Sequence, residues 1–195
     1  MKHMKLFNRL FNRPKKEEIE LQDETVVNEM TDAEPQIDKV DEKKAIFEKK
    51  KILSQKLVDA AINGQVNAIS RIIEKGADVN FPSIRPGSFY GDITFAIHEA
   101  VRNNHIDAVR VLISHRANLN LRDYNSETPL HIAIDNMQHS DTKFKADEIA
   151  RVLIDNGADL TVCGQYETNP IEFAEDQGQH DIAEYMRNNK VNKPT

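Results

Sequence analysis

Cysteine is almost absent from this 195-residue chain: Cys163 stands alone, which excludes an intramolecular disulfide framework and any multi-cysteine metal site. There is no Trp, aromatic residues make up 6% of the chain, and no apolar run approaches the ~18 residues a membrane-spanning helix requires. Basic charge is outweighed, with 26 Lys and Arg against 32 Asp and Glu, so the molecule as a whole is not built to bind a polyanion. What remains is 39% hydrophobic and 30% charged, enough for one domain with a sizeable core and a tail. A single thiol suits a reducing compartment, and the chain is read as cytoplasmic.

The charges are unevenly placed. Residues 1–16 carry Lys2, Lys5, Arg9, Arg13, Lys15 and Lys16 and no acid. On a helix, Leu6, Phe7, Leu10 and Phe11 fall on one stripe beside Arg9, Arg13 and Lys16. Such a basic amphipathic segment suits peripheral contact of residues 4–16 with an anionic membrane, against the alternative of a frayed terminus. Asn8 and Arg9 interrupt the apolar stretch that a secretory signal needs. Met1 and Met4 are both candidate starts. Residues 17–42 hold eleven acids against Lys39 and few bulky apolar residues, and read as a disordered linker.

From residue 43 the chain repeats itself. Four stretches align, at 57–80, 97–120, 130–161 and 171–189, with matching alanines at Ala60, Ala100, Ala133 and Ala174. Within them, Thr128-Pro129-Leu130-His131-Ile132-Ala133, Gly76-Ala77-Asp78-Val79-Asn80 and Gly157-Ala158-Asp159 resemble the ankyrin-repeat signature. The resemblance implies an all-α solenoid of helix-turn-helix units with projecting β-turn-like fingers, over residues 43–190, with 191–195 as a tail. Thr128 is expected to cap a helix opened by Pro129, and Gly157 to end the following helix in a left-handed conformation. The charged stretch 43–51, with Ala45, Ile46 and Phe47 in it and Ile52 and Leu53 after it, is expected to form a helix that covers the first repeat. Arg187 turns the last outer face polar, as a terminal cap requires.

Two irregularities exceed ordinary drift. From Asn80 to His98 the step is 18, seven more than the family spacing, and the surplus lies in a finger rich in Pro and Gly that contains Phe81, Phe89 and Tyr90. From Ala133 to Gly157 the step is 24, eight more than the family spacing, with the surplus around Met137 to Phe144. Insertions in repeat arrays often carry binding. Phe89, Tyr90, Tyr124 and Tyr166 are expected along one edge, as aromatics enriched at interfaces. The outward positions of the first helices add Glu99, Arg102, Ile132, Asp135, Asn136, Phe173 and Asp176, on the concave surface that members of the family use. Ile132 and Phe173 either face a partner there or rotate into the stack.

Catalytic and metal residues are expected to be absent, as are cofactors. His98-Glu99 lacks the second His at position 102, where Arg102 stands, so the zinc-protease spacing fails. His98 and His131 occupy the family's structural His position, and Cys163 has no His partner in sequence. No Walker loop, G-x-G-x-x-G or G-x-S-x-G occurs. Residues 52–195 hold 14 basic and 20 acidic residues, which argues against nucleic acid and for a basic protein partner bound by a monomer. The function implied is non-catalytic protein binding by an inhibitor, immunity-type or adaptor protein of bacterial style. The alternative is a membrane-tethered scaffold or secreted effector anchored at the inner membrane face through Leu6, Phe7, Leu10 and Phe11.

Overall fold

The structure, a computed structural model, describes residues 36–191. Four helix pairs follow one another: α1 (Gln36–Ile62) with α2 (Val66–Glu74), α3 (Ala96–Arg102) with α4 (Ile106–Ser114), α5 (Pro129–Asn136) with α6 (Lys143–Asp155), and α7 (Pro170–Asp176) with α8 (His180–Val191). First helices stack on first helices, α3 on α5 on α7, and second on second, α2 on α4 on α6 on α8. The result is two layers of short helices, with a core running between and along them.

Small residues permit this spacing. Ala60, Ala100, Ala133 and Ala174 are all buried, and around them pack Leu57, Ile69, Ile97, Leu112, Leu130, Ile134, Ile149, Leu153, Ile182 and Met186. A Cβ methyl at the contact lets paired helices approach closely, and the larger side chains fill the gaps between layers. Helix α7 has a full capping box: Asn169 Oδ1 accepts the N–H groups of Ile171 and Glu172, and Glu172 reaches back to the N–H of Asn169. Helix α5 starts as expected, with Thr128 extended before Pro129, but the Thr128 hydroxyl does not cap it. That hydroxyl bonds Nδ1 of His131 at 2.8 Å, three residues along.

The second helix of three units ends in a left-handed residue: Gly76 at φ +93°, Arg116 at φ +65° and Gly157 at φ +93°. Glycine adopts this conformation freely, whereas an L side chain is disfavoured by about 1–2 kcal/mol. Arg116 is exposed, and its carbonyl, which accepts from Asn80 Nδ2, survives any side-chain change. Arg116→Gly is therefore expected to stabilise the protein by about 0.5–1 kcal/mol, net of the extra entropy glycine loses on folding. Chemical denaturation followed by circular dichroism checks it; a lower midpoint would mean the arginine side chain makes a contact worth more than the strain.

Two expectations are corrected at the amino-terminal end. The stretch 43–51 is not a separate cap but part of α1, a single helix of 27 residues that runs straight into the first repeat. It starts at Gln36, inside the stretch read as a linker; the remainder of that stretch, and the segment with Leu6, Phe7, Leu10 and Phe11, lie outside the described residues. Nor does it cover the repeat. Residues 42–52 are all exposed, Ile46, Phe47 and Ile52 about half so, and burial begins at Leu53 and Ser54. The physical reason is continuity: between 43 and 62 there is no Gly or Pro to break the helix, so it cannot fold back over its own layer.

The insertions are also resolved. Eight residues around Met137 to Phe144 become a turn through 137–142 and an extra turn at the start of α6, which has 13 residues where α4 has nine. Met137 is buried by this arrangement and Phe144 is left exposed.

Candidate functional site

The longer finger is a β-hairpin. Strand β1 (Ser83–Ile84) pairs antiparallel with β2 (Ile93–Thr94), Ser83 opposite Thr94 and Ile84 opposite Ile93. Ser83 and Thr94 point inward and are buried, Ser83 Oγ donating to Ser54 Oγ, which donates in turn to the carbonyl of Phe81. Alternation then places Ile84 and Ile93 on the outer face, each about half exposed. At the tip, Ser88 Oγ accepts the N–H groups of Tyr90 and Asp92, and the Arg85 N–H donates to the Asp92 carbonyl. This turn holds the backbone while projecting its two aromatics: Phe89 is 97% exposed and Tyr90 95%. Neither folds back over the loop.

The next finger docks on this one. The Tyr124 N–H donates to the Ile93 carbonyl at 2.9 Å, and Arg85 Nη1 donates to the Tyr124 hydroxyl at 2.8 Å. Both Arg85 and Arg102 lie over the Tyr124 ring, about 6 Å from its centroid. In the third finger Tyr166 stacks on Phe173 with ring centroids 6.3 Å apart and planes 15° from parallel. The aromatics therefore sit in successive fingers in sequence order, but each is engaged differently. Phe89 and Tyr90 stand free at a tip, Tyr124 is gripped by arginines, and Tyr166 lies on its own repeat.

Between the first two fingers lies a charged cluster built from α3. Arg102 bridges Glu99 Oε1 at 2.8 Å and Asp123 Oδ2 at 2.6 Å, and both carboxylates are buried. Glu99 Oε1 also accepts from the Thr94 hydroxyl, while Asp123 Oδ1 accepts the N–H groups of Asn125 and Glu127, closing the second finger's turn. One arginine thus ties helix, hairpin and finger together. Beside it, burial raises the pKa of Glu127, with Asp123 and Asp135 adding to the shift by repulsion. Arg102 opposes the shift, and Asp135 nearby is exposed.

Three sequence-derived site residues are corrected. Ile132 and Phe173 are buried, at 3% and 4% exposure, and belong to the core. Phe173 lies between the ring of His131 on α5 and that of Tyr166, whose finger folds over the start of α7. Glu99 is buried in the Arg102 cluster instead of facing outward. Asn136 is half-buried, donating to the carbonyls of Val101 and Arg102 across the repeat boundary. Asp135 and Asp176 are exposed on the first-helix layer, and Arg102 is partly so. Sequence reading passed over Ser88, Arg85 and Asp123. A run of turn residues, Asp123-Tyr124-Asn125-Ser126, was the available signal for the last.

Three histidines are structural. His98 Nε2 donates to the carbonyls of Leu121 and Glu127, His131 Nε2 to that of Thr168, and His105 Nε2 to that of Ile62. Each one pins a loop to a helix of the neighbouring repeat or its own. Among the described residues no group of three or more His, Cys, Asp and Glu is placed to hold a metal ion, and no helix is long and apolar enough to cross a membrane.

Comparison with known proteins follows this architecture. A family model described as ankyrin repeats, in three copies, matches residues 57–162. The fourth helix pair lies beyond that match. The chain is 32% identical over 97 residues to the human transient receptor potential cation channel subfamily A member 1, covering 50% of this chain and 8% of the channel subunit. A putative ankyrin repeat protein of Rickettsia felis is 27% identical over 129 residues, 66% of this chain and 54% of that protein. The NF-kappa-B inhibitor cactus of Drosophila melanogaster is 40% identical over 57 residues, 29% of this chain and 11% of the inhibitor. The chain thus spans about half of the rickettsial protein and far less of the other two.

Proposed function

Because the chain belongs to the ankyrin-repeat family, whose repeats mediate protein–protein interaction, we propose that it is a non-catalytic module binding a protein partner through its finger loops and concave helix face. The observation that carries this reading is the hairpin tip. Two large aromatic side chains are exposed almost completely on a backbone already fixed by Ser88, and exposed aromatics on a preformed loop lose little entropy on binding. The net charge of −6, with 14 basic and 20 acidic residues from 52 onward, favours a partner with a basic surface. Occlusion of that partner, as an inhibitor or immunity-type protein would achieve, suits a rigid surface of this kind, and the array acts as a monomer.

Phe89 and Tyr90 bury almost nothing in the free protein, so Phe89→Ala/Tyr90→Ala is expected to leave thermal unfolding unchanged. The same change is expected to weaken partner binding by at least about tenfold. Affinity capture from the source lysate, followed by titration calorimetry on the protein recovered, measures both. A partner held equally well by the variant would remove the fingers from the interface, and association indifferent to salt would remove the basic partner.

A further inference from the structure

A second surface lies at the opposite end of the charge scale. Where α1 extends past the first repeat, it leaves a groove of about 520 Å³ between its own face and the hairpin, lined by Phe47, Lys51, Gln55, Phe81, Ile84 and Ile93. The floor is apolar. Phe47 meets Phe81 edge-on with ring centroids 5.7 Å apart, and Phe47, Ile84 and Ile93 each remain about half exposed. Half-buried large apolar side chains clustered at one place are what a soluble surface ordinarily avoids.

The rim is basic. Around the α1 axis, Lys43, Lys44, Lys50 and Lys51 all fall within about 60° of Phe47, given 3.6 residues per turn, whereas Glu42 and Glu48 fall outside that sector. All four lysines are exposed. The half-buried Asp92 of the hairpin is the nearest acid in sequence to the groove's far wall. The rest of the array is acidic, with 14 basic and 20 acidic residues from 52 onward. Within the repeat array, an acidic ligand is therefore repelled by the body of the solenoid and attracted to this face of α1.

We propose that this groove is a second docking site, for an acidic peptide segment of a partner protein that carries bulky apolar side chains. Its apolar residues enter between Phe47, Phe81, Ile84 and Ile93, and its carboxylates meet the lysines on the rim. The site does not use Phe89 or Tyr90, although Gly91 of the tip turn borders it, so separate variants test it and the function proposed above.

The test uses the full chain and fluorescence anisotropy with a labelled synthetic peptide in which glutamates flank a Phe-Leu-Leu centre. A companion peptide has lysines in place of the glutamates. Saturable, salt-sensitive binding of the acidic peptide is expected, with the lysine peptide failing to bind. Phe47→Ser, a change at an exposed position that leaves the circular dichroism intact, is expected to weaken binding roughly tenfold, as is Lys50→Glu/Lys51→Glu. The Phe89→Ala/Tyr90→Ala variant is expected to bind as the parent does. No saturable binding, or equal binding of the lysine peptide, overturns the proposal. So does equal binding of polyglutamate without apolar residues, or of heparin at the same lysines, which would reveal a bare polyanion patch. Sedimentation showing a dimer that Phe47→Ser dissolves overturns it too, because the occupant would then be a second copy of this chain.

Discussion

Arg102→Leu is expected to cost about 3–5 kcal/mol of folding stability, the ordinary cost of removing one partner of a buried ion pair and leaving the other charge uncompensated. Glu99 and Asp123 are both buried, and Arg102 is their shared cation. Leucine keeps most of the side-chain volume, so the loss comes from Asp123, left without its cation in a poorly solvated place, and from Glu99, left with Arg85 Nε at 3.6 Å alone. Those carboxylates also hold Thr94 on the hairpin and the N–H groups of Asn125 and Glu127 in the second finger. The loss should therefore appear first as loosening of both fingers, with faster amide exchange there than in α6 and α8. Lysine at this position restores charge but not the fork that reaches both acids, and should recover part of the stability. Urea denaturation and hydrogen exchange measure the two effects. A cost under about 1 kcal/mol would mean the acids stay hydrated and the cluster is a surface ion pair.

Acid supplies the second large effect. His98 is fully buried, and its pKa falls from the ordinary imidazole value of 6.5 to about 4, chiefly by desolvation, with Asp123 opposing and Arg102 assisting. Its geometry shows why. Nε2 carries the proton and is shared between two carbonyls, while Nδ1, which a second proton would occupy, has no hydrogen-bond partner. His131 is lowered too, again mainly by burial; its Nδ1 accepts the Thr128 hydroxyl. Between the two pKa values the unfolded chain binds protons that the folded one refuses, so stability rises with pH through this window. Stability is thus fully present above about pH 6.5 and drains as pH falls toward 4, by on the order of 3 kcal/mol for His98 alone. Glu127, whose pKa is raised, works with the opposite sign: its protonation at low pH relieves the fold. Urea midpoints across this range, compared with those of His98→Gln, test the attribution, because the variant keeps a donor but cannot titrate. An unchanged pH slope in the variant would assign the loss to other groups.

These two effects rest on residues the sequence reading treated unevenly. His98 and His131 stand at the family's structural histidine position, and both rings donate to carbonyls of the next finger. Arg102 was read as part of a binding face, and Asp123 was passed over. One-dimensional periodicity reports which way a residue points from its helix axis, yet it is silent about loops that fold over that face. The same blindness explains Phe173, whose outward helical position is roofed by Tyr166 of its finger, while Ile132 is buried in the core. The repeat frame itself was fully legible because turn glycines, Pro at helix starts and small alanines each answer a local requirement. The frame also misled at α1, where a repeat boundary was assumed although no residue breaks the helix there. The hairpin's exposed tip was legible as an insertion, but the Ser88 turn that fixes it depends on two hydrogen bonds that spacing alone does not specify.

The repeats are also laced to each other by short amide side chains. Asn80 accepts from the Asn118 N–H and donates to the Arg116 carbonyl, Asn120 accepts from the Asp159 N–H, and Asn136 donates to the carbonyls of Val101 and Arg102. Every one of these stitches joins a unit to its immediate neighbour. Under tension applied at the two ends of the array, such a molecule behaves as a row of fasteners in series. It should surrender its length in discrete increments of one helix pair, and snap back the same way when the load is removed.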